Sequence, residues 1–168
     1  FIFTNCSNTG TNGLFYSTVD MSLAAGMGSV TIKNTVVSTV QPSGQLAIAQ
    51  HCNGKDFWVI NHDYGNTNAR SFLISSTGVS INPVISTVGV SATISSYLKI
   101  SRNGKKAASV YNSSYLTVYD FDASSGVISN SLALTTGSNG AYFDAVEFSP
   151  DGSKLYSTIN TFPQRRIV

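Results

Sequence analysis

The sequence predicts an all-β fold. It reads as a β-propeller of four-stranded antiparallel blades, present as a partial ring of about three to three and a half blades. Three observations predict this. One hairpin recurs as AQHCNGKDFWVI (49–60), LKISRNGKKAASVY (98–111) and AVEFSPDGSKLY (145–156). Its turn residues, Asn53-Gly54, Asn103-Gly104 and Asp151-Gly152, lie 50 and then 48 residues apart, a period expected of stacked supersecondary repeats. The apolar residues fall in short runs rich in Val, Ile, Tyr and Phe and punctuated by Gly, Asn, Ser and Asp, and helical periodicity is nearly absent.

Each element follows in order. FIFTN (1–5), LFYSTVDMS (14–22) and VTIKNTVVST (30–39) match second, third and fourth strands, so the unit at 1–40 lacks its first. The clearest unit covers 46–89. LAIAQHC (46–52) is followed by the Asn53-Gly54 turn, DFWVINHDY (56–64), a GNTN loop, ARSFLISS (69–76), Thr77-Gly78 and a fourth strand within VSINPVISTV (79–88). Asn-Gly between extended runs is a strong hairpin signal, because both residues tolerate positive φ. The unit at 95–137 repeats the plan with SSYLKIS, KAASVYN, YLTVYDFD and VISNSLALTT. The last turn moves with the hairpin, from Thr77-Gly78 to Ser125-Gly126, a shift of 48. In 143–168, FDAVEFS and KLYSTIN match first and second strands, and this unit is also incomplete.

The apolar runs fit blades sandwiched between neighbours. Phe57-Trp58-Val59-Ile60 is continuous where a one-sided sheet would alternate, and Tyr115, Leu116, Val118, Tyr119 and Phe121 behave alike. A short blade stack would leave such faces bare at both ends. The expectation is therefore a segment of a longer polypeptide, whose remaining blades are its first partners.

Composition bounds the function classes. Charged residues make up 11% of the 168 positions, against roughly 25% in ordinary soluble domains, and Ser, Thr, Asn and Gly fill the difference. Net charge is +2, with no basic cluster larger than Lys105-Lys106 or Arg165-Arg166, so the stripe of cations that nucleic acid requires is missing. No apolar run is long enough to span a bilayer. Cys6 and Cys52 could form a bridge between neighbouring repeats or stand as two independent thiols. No Cys/His spacing suggests a metal site, and no cofactor is expected.

Few residues could carry chemistry. His51 and His62 are the two histidines. His51 precedes a hairpin turn. His62, beside Asp63, reads either as a titrating or ligand-binding group at a channel mouth or as a His-Asp pair capping a loop. The second is favoured, because nothing else completes a triad or ligand set. Asp120-Phe121-Asp122 before Ala-Ser-Ser-Gly reads as an Asx-type turn rather than a calcium loop, which needs about six oxygen ligands. Asp20 in VDMS sits at a similar strand end. Ser149-Pro150-Asp151-Gly152 is a turn by every local rule. No Gly-x-Ser-x-Gly elbow appears, and Glu147 is the single glutamate. Most of the 8 Tyr, 9 Phe and 1 Trp are expected between blades. Asn5-Cys6-Ser7 and Asn112-Ser113-Ser114 are glycosylation sequons.

FSPDGSKLY (148–156) resembles the hallmark hairpin of the YVTN/WD40-like propeller superfamily. LFYSTVDMSLAAGMGSV (14–30), NGKDFWVINHDYGN (53–66), FLISSTGVS (72–80) and FDASSGVISN (121–130) extend the resemblance to the N-terminal propeller of large Bacteroidetes surface proteins. The resemblance implies type IX secretion, an outer-surface location and a non-enzymatic adhesion, gliding-associated or scaffold role, with cell-surface or secretion-machinery proteins or glycans as partners. One departure is Arg102-Asn103-Gly104, where Ser-Pro-Asp-Gly is commoner. The resemblance carries no catalytic motif. The alternative is part of a propeller enzyme, lactonase- or quinoprotein dehydrogenase-like, with its site at the central channel. That would need acidic or His residues at first-strand ends, which here read Gln50-His51-Cys52, Ile100-Ser101 and Phe148-Ser149. A third reading is a subunit of a secretion or filament assembly.

Overall fold

A computed structural model describes residues 1–6, 13–93, 95–111, 115–136, 141–161 and 164–167. It divides the chain into two compact units, Phe1–Pro42 and Ser43–Val168.

The first unit is one antiparallel sheet of β1 (Ile2–Cys6), β2 (Gly13–Asp20) and β3 (Ser29–Ser38), in that order. Asp20 ends β2 by accepting hydrogen bonds from the Ser22 hydroxyl at 2.7 Å and the Ser22 backbone N–H at 2.9 Å. These side-chain and backbone bonds hold the carboxyl below its ordinary range. A single 3₁₀ turn, Ala24–Gly26, then leads toward β3.

The second unit stacks three antiparallel sheets. The first sheet holds β4 (Pro42–Gln50), β5 (Phe57–Asp63), β6 (Asn66–Ser75), β7 (Gly78–Val79) and β8 (Val84–Ala92). β7 pairs with β6 at Ile74 and Ser75, and β8 pairs with it from Ser71 back to Asn66. The two are thus one fourth strand, interrupted at Asn82-Pro83. Pro83 has no N–H to give a ladder, and the Ser80 hydroxyl takes the Asn82 N–H at 3.2 Å instead. The middle sheet is β9 (Ser95–Ile100), β10 (Lys106–Tyr111), β11 (Tyr115–Phe121) and β12 (Ile128–Thr135), with neighbours in sequence paired. The last holds β13 (Ala141–Phe148), β14 (Leu155–Thr161) and β15 (Gln164–Ile167).

Alternation along the middle sheet explains the continuous apolar runs. Ala107, Tyr111, Tyr119 and Phe121 pack with Trp58, Ile60 and Ala69 of the preceding sheet. Ala108, Val110 and Leu116 pack with Phe143 and Val146 of the following one. Successive side chains point to opposite faces, so a sheet covered on both sides is apolar throughout.

Three outer strands carry one residue each in the left-handed region: Asn34, Gly89 and Asn130, at φ of 51°, 77° and 50°. Each falls where the pairing register shifts, as in a bulge that tolerates αL backbone. The pattern recurs between blades and went unread in the sequence.

The larger departures from the expected bounds are four. β6 begins at Asn66, inside the expected GNTN loop, rather than at residue 69. β4 begins at Pro42 rather than at residue 46, because a proline that opens a strand sacrifices no ladder bond. β8 runs to Ala92, past 89. The final sheet gains a third strand, β15, paired with β14 at Thr158–Thr161. The sequon at Asn112 falls outside the described residues.

Candidate functional site at the hairpin mouths

The three repeated hairpins close alike. The residues opening and closing each turn are His51 and Asp56, Ser101 and Lys106, and Ser149 and Lys154, joined by N–H to carbonyl bonds of 2.9 Å each. The turn glycines Gly54, Gly104 and Gly152 have φ of 71°, 67° and 71°, a region costly for any residue with a Cβ. The Asn53 side-chain oxygen accepts the Lys55 and Asp56 N–H groups at 3.0 Å each. Asn103 accepts from Lys105 N–H at 3.1 Å and from the Ser101 hydroxyl at 2.8 Å. Asp151 accepts from the Ser149 hydroxyl at 2.6 Å and from the Ser153 backbone at 3.0 Å. Bonds from the Ser149 hydroxyl and from Ser153 hold the Asp151 carboxyl down to about 2. Asn53, Gly54, Asn103, Gly104, Asp151 and Gly152 therefore sit in the turns that the sequence assigns them.

A groove of about 310 Å³ lies between the first two of these turns, lined among others by Gln50, His51, Cys52, Ser101, Arg102 and Asn103. His51 is half-buried and stacks on Trp58, with ring centroids 5.7 Å apart and planes 28° apart. Its Nδ1 accepts the Asn53 N–H at 3.1 Å, so the neutral ring carries its proton on Nε2. Cys52 is a free, exposed thiol, and the side chain of Cys6 lies outside the described residues. The Cys52 sulfur is 3.7 Å from His51 Nδ1, but that nitrogen's lone pair is already engaged by Asn53, which leaves no base for the thiol. His51 and Arg102 both line the groove, and His51 and Cys52 are not arranged there as a proton-transfer pair.

A second groove, of about 490 Å³, follows β4 and β9 between Gln45 and Ile48 on one side and Tyr97 to Ile100 on the other. Lys99 and Glu147 meet across neighbouring strands at 2.8 Å, both well exposed, and the Lys99 ammonium lowers the Glu147 carboxyl.

His62 and Asp63 are elsewhere. The channel-mouth reading of His62 does not hold, and neither does the loop-cap reading. His62 is 3% exposed, edge-on to Tyr111 with ring centroids 5.0 Å apart. Asp63 follows it on the strand, so its carboxylate turns to the opposite face and binds Arg70 Nε at 2.7 Å. Burial depresses the His62 pKa, against partial offsets from the Asp63 backbone, the Asp63 charge and the Val88 backbone. His51 and His62 therefore share no site: one borders the groove, and the other is interior.

Asp122 serves as the expected Asx turn. It accepts from the Ser124 and Ser125 hydroxyls at 2.7 Å each and from the Ser124 backbone at 2.9 Å, and these bonds lower its pKa to about 2. The neighbouring Ala123 carbonyl accepts Trp58 Nε1–H at 3.0 Å and the Cys52 N–H at 3.2 Å. Sequence reasoning missed the groove-lining role of Arg102 and the clasp between Trp58 and Ala123. Arg102 is legible only as an odd residue beside a turn, and the clasp spans 65 residues.

No protein-family model matches the chain, and no curated protein is similar to it. Solved structures are. One is a Bacteroides fragilis protein provisionally assigned as a 6-phosphogluconolactonase, with 14% identity and a TM-score of 0.58, over 87% of this chain and 43% of that one. Hydrazine synthase of Kuenenia stuttgartiensis is similar at 18% identity and a TM-score of 0.45, over 86% of this chain and 38% of that one. The chain has a partial β-propeller-type fold. It spans less than half the length of either protein.

Proposed function

We propose that this chain is a non-enzymatic binding or scaffold module, part of the propeller of a secreted bacterial cell-surface protein. One observation carries the reading: the polar side chains at the hairpin mouths are committed to the turns. Asn53, Asn103, Asp122, Asp151 and the His51 Nδ1 lone pair all accept hydrogen bonds from their own loops. A general acid or base needs a group within reach of substrate and free to exchange its proton. These loops instead form internally hydrogen-bonded, polar turns bordering a groove, which suits recognition of oxygen-rich ligands such as glycans or peptide carbonyls. The low charge and the resemblance to Bacteroidetes surface propellers support the location. The further blades of the polypeptide complete the module.

Protease treatment of intact cells expressing the full-length protein tests the location. Digestion without lysis is expected, and protection until lysis overturns it. Glycan and peptide arrays test the binding, with Arg102→Ala expected to weaken any hit about tenfold, the loss of a charge-assisted hydrogen bond.

The second reading is a propeller enzyme with its site at the channel. Its favouring observation is the fold likeness to the provisionally assigned lactonase. Lactone hydrolysis by the full-length protein, abolished by His51→Ala or Arg102→Ala, would replace the binding reading with this one.

A further inference from the structure

Acidic and basic side chains of the second unit are partnered unequally. Asp63, Asp120 and Glu147 are ion-paired with Arg70, Lys106 and Lys99. Asp56 accepts the Asn53 side-chain amide at 2.8 Å. Asp122 accepts the Ser124 and Ser125 hydroxyls, and Asp151 the Ser149 hydroxyl. Asp144 also interacts within the chain. The carboxylates are thus engaged by the unit's own turns and strands. Lys55, Arg102 and Lys105, by contrast, have no ion pair among the described residues.

These three cations belong to the two turns that border the groove of about 310 Å³. Arg102 lines it, and so do Gly54 and Gly104, which directly precede Lys55 and Lys105. No Asp or Glu is among its lining residues. Asp122 precedes the lining residue Ala123, but its carboxylate is held by the two serines. The third hairpin differs at the matching positions: Pro150 stands for Arg102, Asp151 for Asn103 and Ser153 for Lys105. The unpaired positive charge therefore marks this groove and not the repeat as such.

We propose that the groove binds a carboxylate-bearing sugar, a uronate, with the Arg102 guanidinium on the carboxylate. This rests on the recognition reading of the groove and names its ligand class. A guanidinium presents parallel N–H groups that match the two oxygens of a carboxylate. One lining guanidinium balances one negative charge. A phosphate ester carries nearly two and offers three acceptor oxygens, so the carboxylate is the better match. Ile48, Ile100 and Ala123 line the groove together with Gln50, Ser101 and Asn103. That mixture of apolar and uncharged polar groups suits a sugar ring, with its C–H faces and hydroxyl edges. Lys55 and Lys105 add a longer-range attraction that salt screens.

Ligand-observed NMR titration of the full-length protein tests this. The probes are methyl glucuronide and methyl galacturonide, the neutral methyl glucoside and methyl galactoside, and glucose 6-phosphate. At least one uronide is expected to bind about tenfold more tightly than its neutral counterpart, the worth of a charge-assisted hydrogen bond. Arg102→Gln should erase that margin and leave the neutral sugar unchanged, and Arg102→Lys should restore only part of it. Arg102 is an exposed turn residue, so both variants are expected to fold. Equal binding of uronides and neutral sugars overturns the proposal. So does tighter binding of glucose 6-phosphate, or a uronide margin that survives Arg102→Gln. Neutral-glycan binding without a uronide margin leaves the recognition reading standing, whereas the absence of any glycan or peptide binding removes both.

Discussion

The middle sheet has two seams, and they are built differently. Against the preceding sheet it buries Trp58, Ile60, Tyr111, Tyr119 and Phe121 together with the hydroxyl of Ser109. That seam is also laced by hydrogen bonds: Trp58 Nε1 and Cys52 N–H to the Ala123 carbonyl, and the Ile128 N–H to Ser86 Oγ at 2.9 Å. Against the following sheet it buries Ala108, Val110, Leu116, Phe143 and Val146, with Phe148, Leu155 and Ile159 alongside. The polar links described there lie at its rim, in Asn103 to Asp151 and Lys99 to Glu147. An apolar seam stabilises by area and tolerates sliding, whereas a seam with directional bonds fixes how one blade sits on the next.

The largest effects should come from emptying each seam. Trp58→Ala and Phe143→Ala are each expected to cost about 3–5 kcal/mol in urea unfolding of the full-length protein. Trp58→Phe separates the contributions. It keeps most of the apolar contact but loses the Nε1 bond, at about 1 kcal/mol. Equal stability of Trp58→Phe and wild type would reduce the first seam to area alone.

A second pair sharpens the contrast between seam and rim. Gly126 has φ of 74°, and a Cβ there would lie 2.9 Å from the Trp58 ring, whereas Gly54, at φ of 71°, has open space around it. Gly54→Ala should therefore cost only the left-handed backbone strain, about 1–2 kcal/mol. Gly126→Ala should add about 1–3 kcal/mol for the overpacked ring. Comparable losses in the two variants would show that Trp58 yields freely and does not fix the seam.

These contrasts also mark what the sequence could reveal. The hairpins were legible because an Asn-Gly or Asp-Gly turn is local chemistry, and its repetition supplied the blade period. The two-sided burial of β5, β10 and β11 was legible as unbroken apolar runs. His62 misled because Asp63 is adjacent in sequence, yet alternation along β5 sends the two side chains to opposite faces. The bulge residues Asn34, Gly89 and Asn130 are ordinary in composition, and only the paired strand exposes their role. The groove at Arg102 depends on two turns 50 residues apart coming together, which no local pattern encodes.

The two seams should also separate by pH. His62 faces Tyr111 and Tyr119 from the middle sheet and the Val88 backbone from its own, while Asp63 and Arg70 pair on the opposite face. Burial holds its pKa below the ordinary 6.5. The unfolded chain therefore takes up the proton first as pH falls. Stability from this group is complete above about 6.5 and declines below it, until the folded protein also binds the proton. His62→Gln should flatten the stability profile in that window. Asp122 and Asp151, held to about 2 from an ordinary 3.8, lose their contribution only as pH falls from about 3.8 toward 2, so the two windows are distinct. An unchanged slope below pH 6.5 in His62→Gln would remove His62 from the first seam's account.

The smallest effect tests whether the rim of the apolar seam has any directional hold. Asn103 Nδ2 donates to the Asp151 carbonyl at 3.2 Å, joining two hairpins 48 residues apart. Asn103→Asp keeps the side-chain oxygen that organises its own turn, as Asp151 does in the next hairpin, but it removes the donor that crosses the seam. The expected loss is about 0.5–1.5 kcal/mol, the net worth of one hydrogen bond. Hydrogen exchange at the 149–154 turn should quicken along with it. Asp151→Asn is the control, because the crossing bond uses the Asp151 backbone oxygen and survives that change. If both substitutions are silent, the second seam is held by its apolar interior alone, and the middle sheet is anchored to a fixed geometry on one side only.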